Sequence, residues 1–382
     1  MGSPHPGKGP GGGEPPAHPH HIRTGQEGVL MDTGSATNLL WQNAEVIATT
    51  EIADRIRRIT LRPEHPHKVR PGEHLKVKVD INGQQTERSY SIVDADPEGA
   101  EVSLTVFHTP NSRGGSTFMH SLVPGQRITV TGPQQDFPLR IGAPRYVLVA
   151  GGIGITAIRG MAGLLRRLGA DYTIHYAARS PEAMAYREEL IAEHGDRLHL
   201  YLDSESVTLD IPALIDTIDS GTELYMCGPI RLMDAIRRAW RERELDPTNL
   251  RFETFGNSGW FLPESFRVTI PRLGVSTEIS ENESILEALE KIGVEMMSDC
   301  RRGECGLCQV KVLDREGQID HRDVFFSDRQ KKASEKLCAC VSRVASTSAA
   351  PVPGNSLTEL ITPDNDSTAP GGRNIHLTID VP

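Results

Sequence analysis

Five of the six cysteines in this 382-residue chain lie between Cys300 and Cys340, and Cys227 stands alone far upstream. Cys300-Arg301-Arg302-Gly303-Glu304-Cys305-Gly306-Leu307-Cys308 is a C-x4-C-x2-C run, and Cys338 and Cys340 follow at a distance. That is the spacing of a plant-type [2Fe-2S] cluster. Two irons bridged by two sulfides need four outer thiolates, so a tight loop has to bring three of them to one side. Gly303 and Gly306 permit such wrapping, and exposed backbone N–H groups stabilise the cluster's negative charge. A zinc site or inert buried thiols are the alternatives. Zinc sites usually pair two short C-x2-C knuckles, and only one is present here.

Four further segments carry residue types suited to an organic cofactor. Arg88-Ser89-Tyr90-Ser91 reads as part of a strand, which puts Arg88 and Tyr90 on one face and Ser91 on the other or at its edge. Each type suits a flavin: Arg clamps a phosphate, Tyr offers a flat surface to the isoalloxazine, and Ser can hydrogen-bond the ring's reactive nitrogen. Alone, the tetrapeptide reads equally as an exposed strand. Arg113-Gly114-Gly115-Ser116 precedes a helical stretch at 117–122, so free amides and a capping hydroxyl would point at an anion, unless this is only a glycine turn closing a hairpin. Gly151-Gly152-Ile153-Gly154-Ile155-Thr156 follows a strand and opens a helix. It is not the G-x-G-x-x-G fingerprint, yet its glycines let a pyrophosphate approach the backbone; a tight strand-to-helix turn would need them too. Cys227-Gly228-Pro229 follows another strand, and a small buried hydrophobe is the plain reading of the cysteine.

The elements that must position these residues fall into three groups. From 41 to 142, short alternating segments at 56–61, 74–79, 88–92, 102–107 and 127–131 suggest a small antiparallel barrel. From 143 to 256, strand-like 146–150, 172–176, 198–202 and 223–226 alternate with helical 157–168, 182–194 and 231–244. That pattern implies a parallel sheet flanked by helices, with ligands beyond the carboxyl ends of its strands. A linker at 257–265 leads to a third unit, 266–382, with strands at 266–270 and 275–279 and a helix at 284–292. Ile375, Leu377 and Ile379 alternate as a final strand after a mobile insertion, 345–372, rich in Ser, Thr, Pro and Gly. Residues 1–40 read as a disordered tail; His18, His20 and His21 could bind a metal loosely, but a tail or tag remnant is the simpler reading.

Together with Asp320-His321-Arg322-Asp323 and Cys340-Val341-Ser342-Arg343, these motifs make the chain resemble the phthalate dioxygenase reductase and vanillate demethylase reductase family over residues 41–344 and 375–380. The resemblance implies an antiparallel β-barrel flavin domain, an α/β parallel-sheet nicotinamide domain and a β-grasp ferredoxin domain. It implies that Arg88, Ser89, Tyr90 and Ser91 bind the flavin. It also implies that Arg113, Gly114, Gly115 and Ser116, followed by Met119 and His120, receive the phosphate of FMN rather than FAD. Gly151, Gly152, Gly154 and Thr156 would form the nicotinamide loop, with Ala157 where proline usually follows the threonine. Cys227, with Gly228 and Pro229, would face the nicotinamide, and Phe255 would cover the flavin where nicotinamide enters, though packing between domains explains Phe255 as well. The cysteine before Val-Ser-Arg is the fourth ligand in the family, which selects Cys340 over Cys338 to join Cys300, Cys305 and Cys308. NADH is favoured; Arg179, a cation suited to a phosphorylated ribose, leaves NADPH open.

A reduced nicotinamide surrenders two electrons together as hydride, a cluster accepts one at a time, and a flavin does both. The expectation is an NADH-dependent flavin and iron-sulfur oxidoreductase, with Ser91, Cys227 and Phe255 at the reacting centre. It needs no acid–base dyad, so the abundant Asp and Glu read as solvated surface. The resemblance makes the acceptor a terminal oxygenase of the Rieske type. A FAD enzyme with another acceptor, or a redox-sensing interaction protein, are the rival readings. A formal net charge of -10 counts against nucleic acid and anionic membranes as partners. No apolar run is long enough to cross a bilayer, and the amino terminus lacks the basic-then-apolar pattern of a secretory signal, so a cytoplasmic protein is expected; a monomer is expected as well.

Overall fold

The computed structural model describes residues 1–2, 40–81, 83–110, 112–256, 258–352 and 375–382. The expected tail with its histidines, and most of the expected insertion, lie outside these residues.

The first group of elements is β1 (Trp41–Ala53), β2 (Ile56–Pro63), β3 (Glu73–Ile81), β4 (Gln84–Ala95), β5 (Val102–Phe107), α1 (Gly115–Ser121), β6 (Arg127–Thr131) and the two-residue β7 (Gln134–Gln135). The strands run in the order β4-β5-β2-β1-β6-β3-β7, and β3 pairs back onto β4 to close an antiparallel barrel. Alternation fills it: Ile59 and Leu61 from β2 and Leu75, Val77 and Val79 from β3 are buried in one interior. β1 bends through register shifts at Val46/Ala48 and Glu51/Ala53, which break the alternation that would have announced so long a strand.

The second group is β8 (Arg145–Gly151), α2 (Ile155–Arg167), β9 (Tyr172–Ala178), α3 (Arg187–His194), β10 (Leu198–Leu202), α4 (Ile211–Asp216), β11 (Thr222–Cys227), α5 (Ile230–Glu242) and β12 (Leu250–Glu253). All five strands are parallel, in the order β10-β9-β8-β11-β12, so the chain reverses its direction of travel between β8 and β11. The crevice at the carboxyl ends of those two strands is where such sheets bind ligands. The helix expected at 182–194 begins only at Arg187, because Pro181–Ala183 form a short 3-10 turn and Tyr186 sits at a φ of 61°. Tertiary contacts hold that break: the Tyr186 hydroxyl is 2.5 Å from Thr105 Oγ1 of the barrel, and Arg159 lies 4.4 Å over its ring.

The third group is β13 (Phe266–Ile270), β14 (Val275–Ile279), α6 (Ile285–Lys291), β15 (Gln309–Glu316), β16 (Gln318–Asp320), α7 (Asp328–Ala333), β17 (Lys336–Cys338), β18 (Arg343–Ala345) and β19 (His376–Asp380). The main sheet, β14-β13-β19-β15-β17, takes the carboxyl-terminal strand into its centre, parallel to β13. This is the β-grasp arrangement implied by the resemblance. Ser284 starts α6 with a capping box: its Oγ accepts the Glu287 N–H at 3.1 Å, and Glu287 Oε2 accepts the Ser284 N–H at 3.0 Å.

Residues 345–352, the first part of the insertion expected from 345, are paired backbone. Ala345 is buried at the end of β18, the Leu262 N–H donates to the Ala350 carbonyl at 2.9 Å, and the Val352 N–H donates to that of Trp260 at 3.1 Å. Backbone pairing with the linker thus holds residues 345–352 in place. None of the described helices is long and apolar enough to cross a membrane.

Candidate functional site

Arg88, Ser89, Tyr90 and Ser91 of β4 line one cavity together with Arg113, Gly115 and Ser116 at the start of α1. Ser91, opposite His74 of β3, lies just before a register shift between Ile92 and Asp94. The two motifs meet because glycine stands between them. A Cβ on Gly115 would lie 3.0 Å from Arg88 Cγ and 3.2 Å from the Tyr90 hydroxyl. One on Gly114, whose φ is 90°, would lie 2.7 Å from Ile81 Cγ2. α1 starts at Gly115, two residues earlier than the sequence suggested, and the Ser116 Oγ donates to Ser112 Oγ at 2.9 Å. Burial pushes the Tyr90 phenol upward, against the pull of Arg88, so the ring stays a neutral donor.

The other two domains also line it: Thr156 and Phe255 from the parallel-sheet domain, Cys340 and Val341 from the third domain. Thr156 is buried and its hydroxyl donates to the Ile153 carbonyl at 3.0 Å, fixing the turn into α2. Gly151, Gly154 and Gly228 do not line the cavity. A Cβ on Gly154 would be 2.1 Å from the Cys227 carbonyl oxygen, and one on Gly151 2.6 Å from Pro229 Cδ; one on Gly228 would be 3.0 Å from Gly151 Cα. Packing of the loops after β8 and β11 against each other therefore accounts for these three glycines, whereas Gly152, at a φ of 52°, faces open space. Cys227 is wholly buried in the core, away from the cavity lining with Gly228 and Pro229. Burial pushes its thiol well above the usual value and keeps it protonated.

In the cysteine loop, the Cys300 Sγ accepts backbone N–H groups from Arg302, Glu304 and Cys305, each at 3.4 Å. Gly303 and Gly306 sit at φ 79° and 72°; a Cβ on the first would lie 2.9 Å from Asp323 Cα and on the second 2.3 Å from the Phe325 ring. The Cys300 thiol interacts with that of Cys305, and the Cys308 thiol with those of Cys338 and Cys340. Hydrogen bonds from Cys338 and Cys340 hold the Cys308 thiol below its usual value. Among the described residues no group of three or more His, Cys, Asp or Glu side chains is placed to hold a single metal ion. All are free of disulfides. Free thiols, with amide donors aimed at sulfur, fit a [2Fe-2S] group. Cys340 lines the cavity, whereas Cys338 is buried on β17 and does not.

The motifs on either side brace this loop. The Arg322 N–H donates to Ser342 Oγ at 3.3 Å, Ser342 Oγ donates to Asp323 at 3.3 Å, and Asp323 accepts the Phe326 N–H at 2.8 Å. Arg322 pairs with Asp320 at 2.6 Å, and Asp320 accepts the Trp260 N–H at 3.0 Å.

Several acids expected at the surface are in fact central. Glu253, at the end of β12, is 3% exposed. Its Oε1 accepts Arg302 Nη1 at 3.0 Å and its Oε2 accepts the Ser91 hydroxyl at 3.4 Å. Burial raises its pKa to about 7, with Arg302 pulling the other way. Arg302, from within the cysteine loop, also pairs with Asp136 of the barrel segment at 2.7 Å and with Glu304 at 3.2 Å. Glu287 of α6 pairs with both Arg88, at 3.0 Å, and Arg113, at 3.4 Å. Burial alone would raise its pKa; the two guanidiniums outweigh it and hold the carboxyl at about 2. The only sequence signal for Glu253 is its place two residues before Phe255, and for Arg302 its place inside the cysteine run.

Comparison with known proteins agrees with this geometry. Residues 268–345 match the family model of the 2Fe-2S iron-sulfur cluster binding domain, and residues 43–138 that of the oxidoreductase FAD-binding domain. The chain is 32% identical over 273 residues to a carnitine monooxygenase reductase subunit of Acinetobacter pittii, covering 71% of this chain and 88% of that one. It is 34% identical over 314 residues to a phthalate 4,5-dioxygenase oxygenase reductase subunit of Pseudomonas putida, covering 78% and 93%. The solved phthalate dioxygenase reductase, described as a modular structure for electron transfer from pyridine nucleotides to [2Fe-2S], matches with a TM-score of 0.64 and 28% identity over 89% of this chain and 98% of that one.

Proposed function

Since this chain belongs to the phthalate dioxygenase reductase family of flavin and [2Fe-2S] oxidoreductases, we propose that it oxidises NADH and passes the electrons through FMN and the cluster to a terminal oxygenase. One observation carries the reading: Arg88, Tyr90, Ser91, Phe255 and Cys340, drawn from three domains, line a single cavity. A bound flavin accepts a hydride and gives up electrons singly, and the cluster takes them one at a time.

The chain's own residues orient and insulate these groups. Arg88, Arg113 and the amino end of α1 bind the phosphate; the Arg113-Gly114-Gly115-Ser116 run with Met119 and His120 favours FMN. Tyr90 orients the ring, and Ser91 donates its hydrogen bond to the ring in place of the one it makes to Glu253. Glu253 sits behind Ser91 and holds or releases a proton near neutral pH. Phe255 keeps water off the ring until nicotinamide enters from the crevice between β8 and β11. Cys300, Cys305, Cys308 and Cys340 hold the cluster. The acceptor is a Rieske-type oxygenase, which docks at the cluster loop, where the apolar Leu307 and Phe325 are each 41% exposed. The protein acts as a cytoplasmic monomer.

NADPH is a second reading, favoured by Arg231: it is buried, one of its terminal nitrogens has no partner, and Arg179 stands near enough to lower its pKa after burial has done so. Two cations beside the end of β9 suit a ribose phosphate. Comparing kcat/KM for NADH and NADPH decides between them. The whole reading is tested by adding NADH anaerobically to the purified protein: flavin and cluster absorption bleach together. An intact cluster band overturns it, and chromatography of the released flavin identifies FMN or FAD.

A further inference from the structure

The two cations best placed to hold a flavin phosphate already share one carboxylate from another domain. Arg88 Nη2 donates to Glu287 Oε1 at 3.0 Å, and Arg113 Nη1 donates to Oε2 at 3.4 Å. Oε2 also accepts the Ser284 N–H and hydroxyl, at 3.0 and 2.9 Å, so the side chain is fixed to the first turn of α6. Arg88 is oriented independently: its Nη1 donates to Thr86 Oγ1 and the Glu87 carbonyl, both at 2.9 Å. The longer, singly made contact of Arg113 is the one that can be given up.

We propose that Glu287 is a built-in competitor for the flavin's phosphate: α6 and the phosphate draw on Arg88 and Arg113, so this residue sets how tightly the phosphate end is held and ties it to docking of the ferredoxin domain on the barrel. The inference rests on the flavin reading above. A phosphate held between Arg88 and Arg113 brings like charge toward the Glu287 carboxylate, and Arg113 turns from one anion to the other. By linkage, whatever the carboxylate costs phosphate binding, the phosphate costs the docked contact in equal measure.

The test is a fluorescence titration of flavin-stripped protein with FMN, FAD and riboflavin, comparing wild type with Glu287→Gln. Gln at this helix position still closes the capping box, so α6 is kept. Loss of one interfering charge is expected to tighten FMN and FAD binding about tenfold and leave riboflavin, which has no phosphate, unchanged. Glu287→Ala, checked for retained iron and helical content, should tighten FMN in the same direction. Unchanged or weaker FMN binding, or equal tightening of riboflavin, overturns the proposal. Wild-type protein that binds none of the three flavins overturns the proposed function itself, and this inference with it.

Discussion

Glu253 shows how a single residue can be central and nearly silent in sequence. Its carboxylate is buried between Ser91 and Arg302, and burial raises its pKa from 4.5 to about 7. Between those values the folded chain holds a proton that the unfolded chain has released, so this group's contribution to stability falls as pH rises through the window. Glu253→Gln has no such proton to lose. Melting temperatures of the two proteins across about pH 5 to 8 should show wild type losing stability relative to the variant, by on the order of 1 to 3 kcal/mol in total; parallel curves would remove the assigned pKa. In single-turnover reduction by NADH, the inflection near neutral pH should also disappear in the variant. Hydride transfer itself needs no proton from the chain, so the maximal rate should fall less than about tenfold, below the usual loss for a general acid or base. The cysteine run, Arg88-Ser89-Tyr90-Ser91 and Arg113-Gly114-Gly115-Ser116 were legible because each packs its chemistry into a few consecutive residues. Glu253, Arg302 and Glu287 were not, because their partners lie on distant segments and an isolated acid looks the same in sequence whether buried or solvated.

Among the elements, the cysteine loop depends most on backbone geometry. Gly303 combines a φ of 79° with Asp323 Cα at 2.9 Å from where a Cβ would stand, so Gly303→Ala meets both strain and a backbone clash. Iron content should drop severely in that variant while flavin content holds, because β4 and α1 are untouched. Of the two later cysteines, Cys340 lines the cavity and Cys338 is sealed in β17. Cys340→Ser is expected to lose the visible cluster absorption and Cys338→Ser to retain it; the opposite result reassigns the fourth ligand. Strand alternation and helix periodicity placed most of the elements they named to within a residue or two, but β4 begins four residues before the expected strand, and α4, β12, β15, β16, α7, β17 and β18 were not named at all. They failed where tertiary contact overruled local pattern: at Tyr186, pinned to the barrel, at bulged β1, and at residues 345–352, held by the linker backbone.

At the scale of the whole molecule, the question is what keeps the flavin cradle and the cluster loop in one arrangement. Surface pairs such as Arg241 with Asp328, both about half exposed, contribute little, since solvent screens them. Arg302 differs: it is buried and joins Asp136 of the barrel segment, Glu253 of the nicotinamide domain and Glu304 of its own loop. The three-domain order was legible in the sequence through its change from alternating to mixed to alternating segments. This clasp was not, because docking is set by complementary surfaces and not by any local period. Removing Arg302 leaves buried Glu253 beside half-buried Glu304 without a cation, which costs roughly 3 to 5 kcal/mol for a broken buried pair. Arg302→Ala should therefore melt earlier, and Arg302→Lys should recover only part of the loss, since one ammonium cannot reach three carboxylates in the geometry of a guanidinium fork. With iron content verified, stopped-flow absorbance should show flavin reduction by NADH at near wild-type rate and the following cluster reduction slowed on the order of tenfold, because only the second step depends on docking. Equal slowing of both steps would mean that Arg302 supports the flavin cradle and not the junction between the carriers.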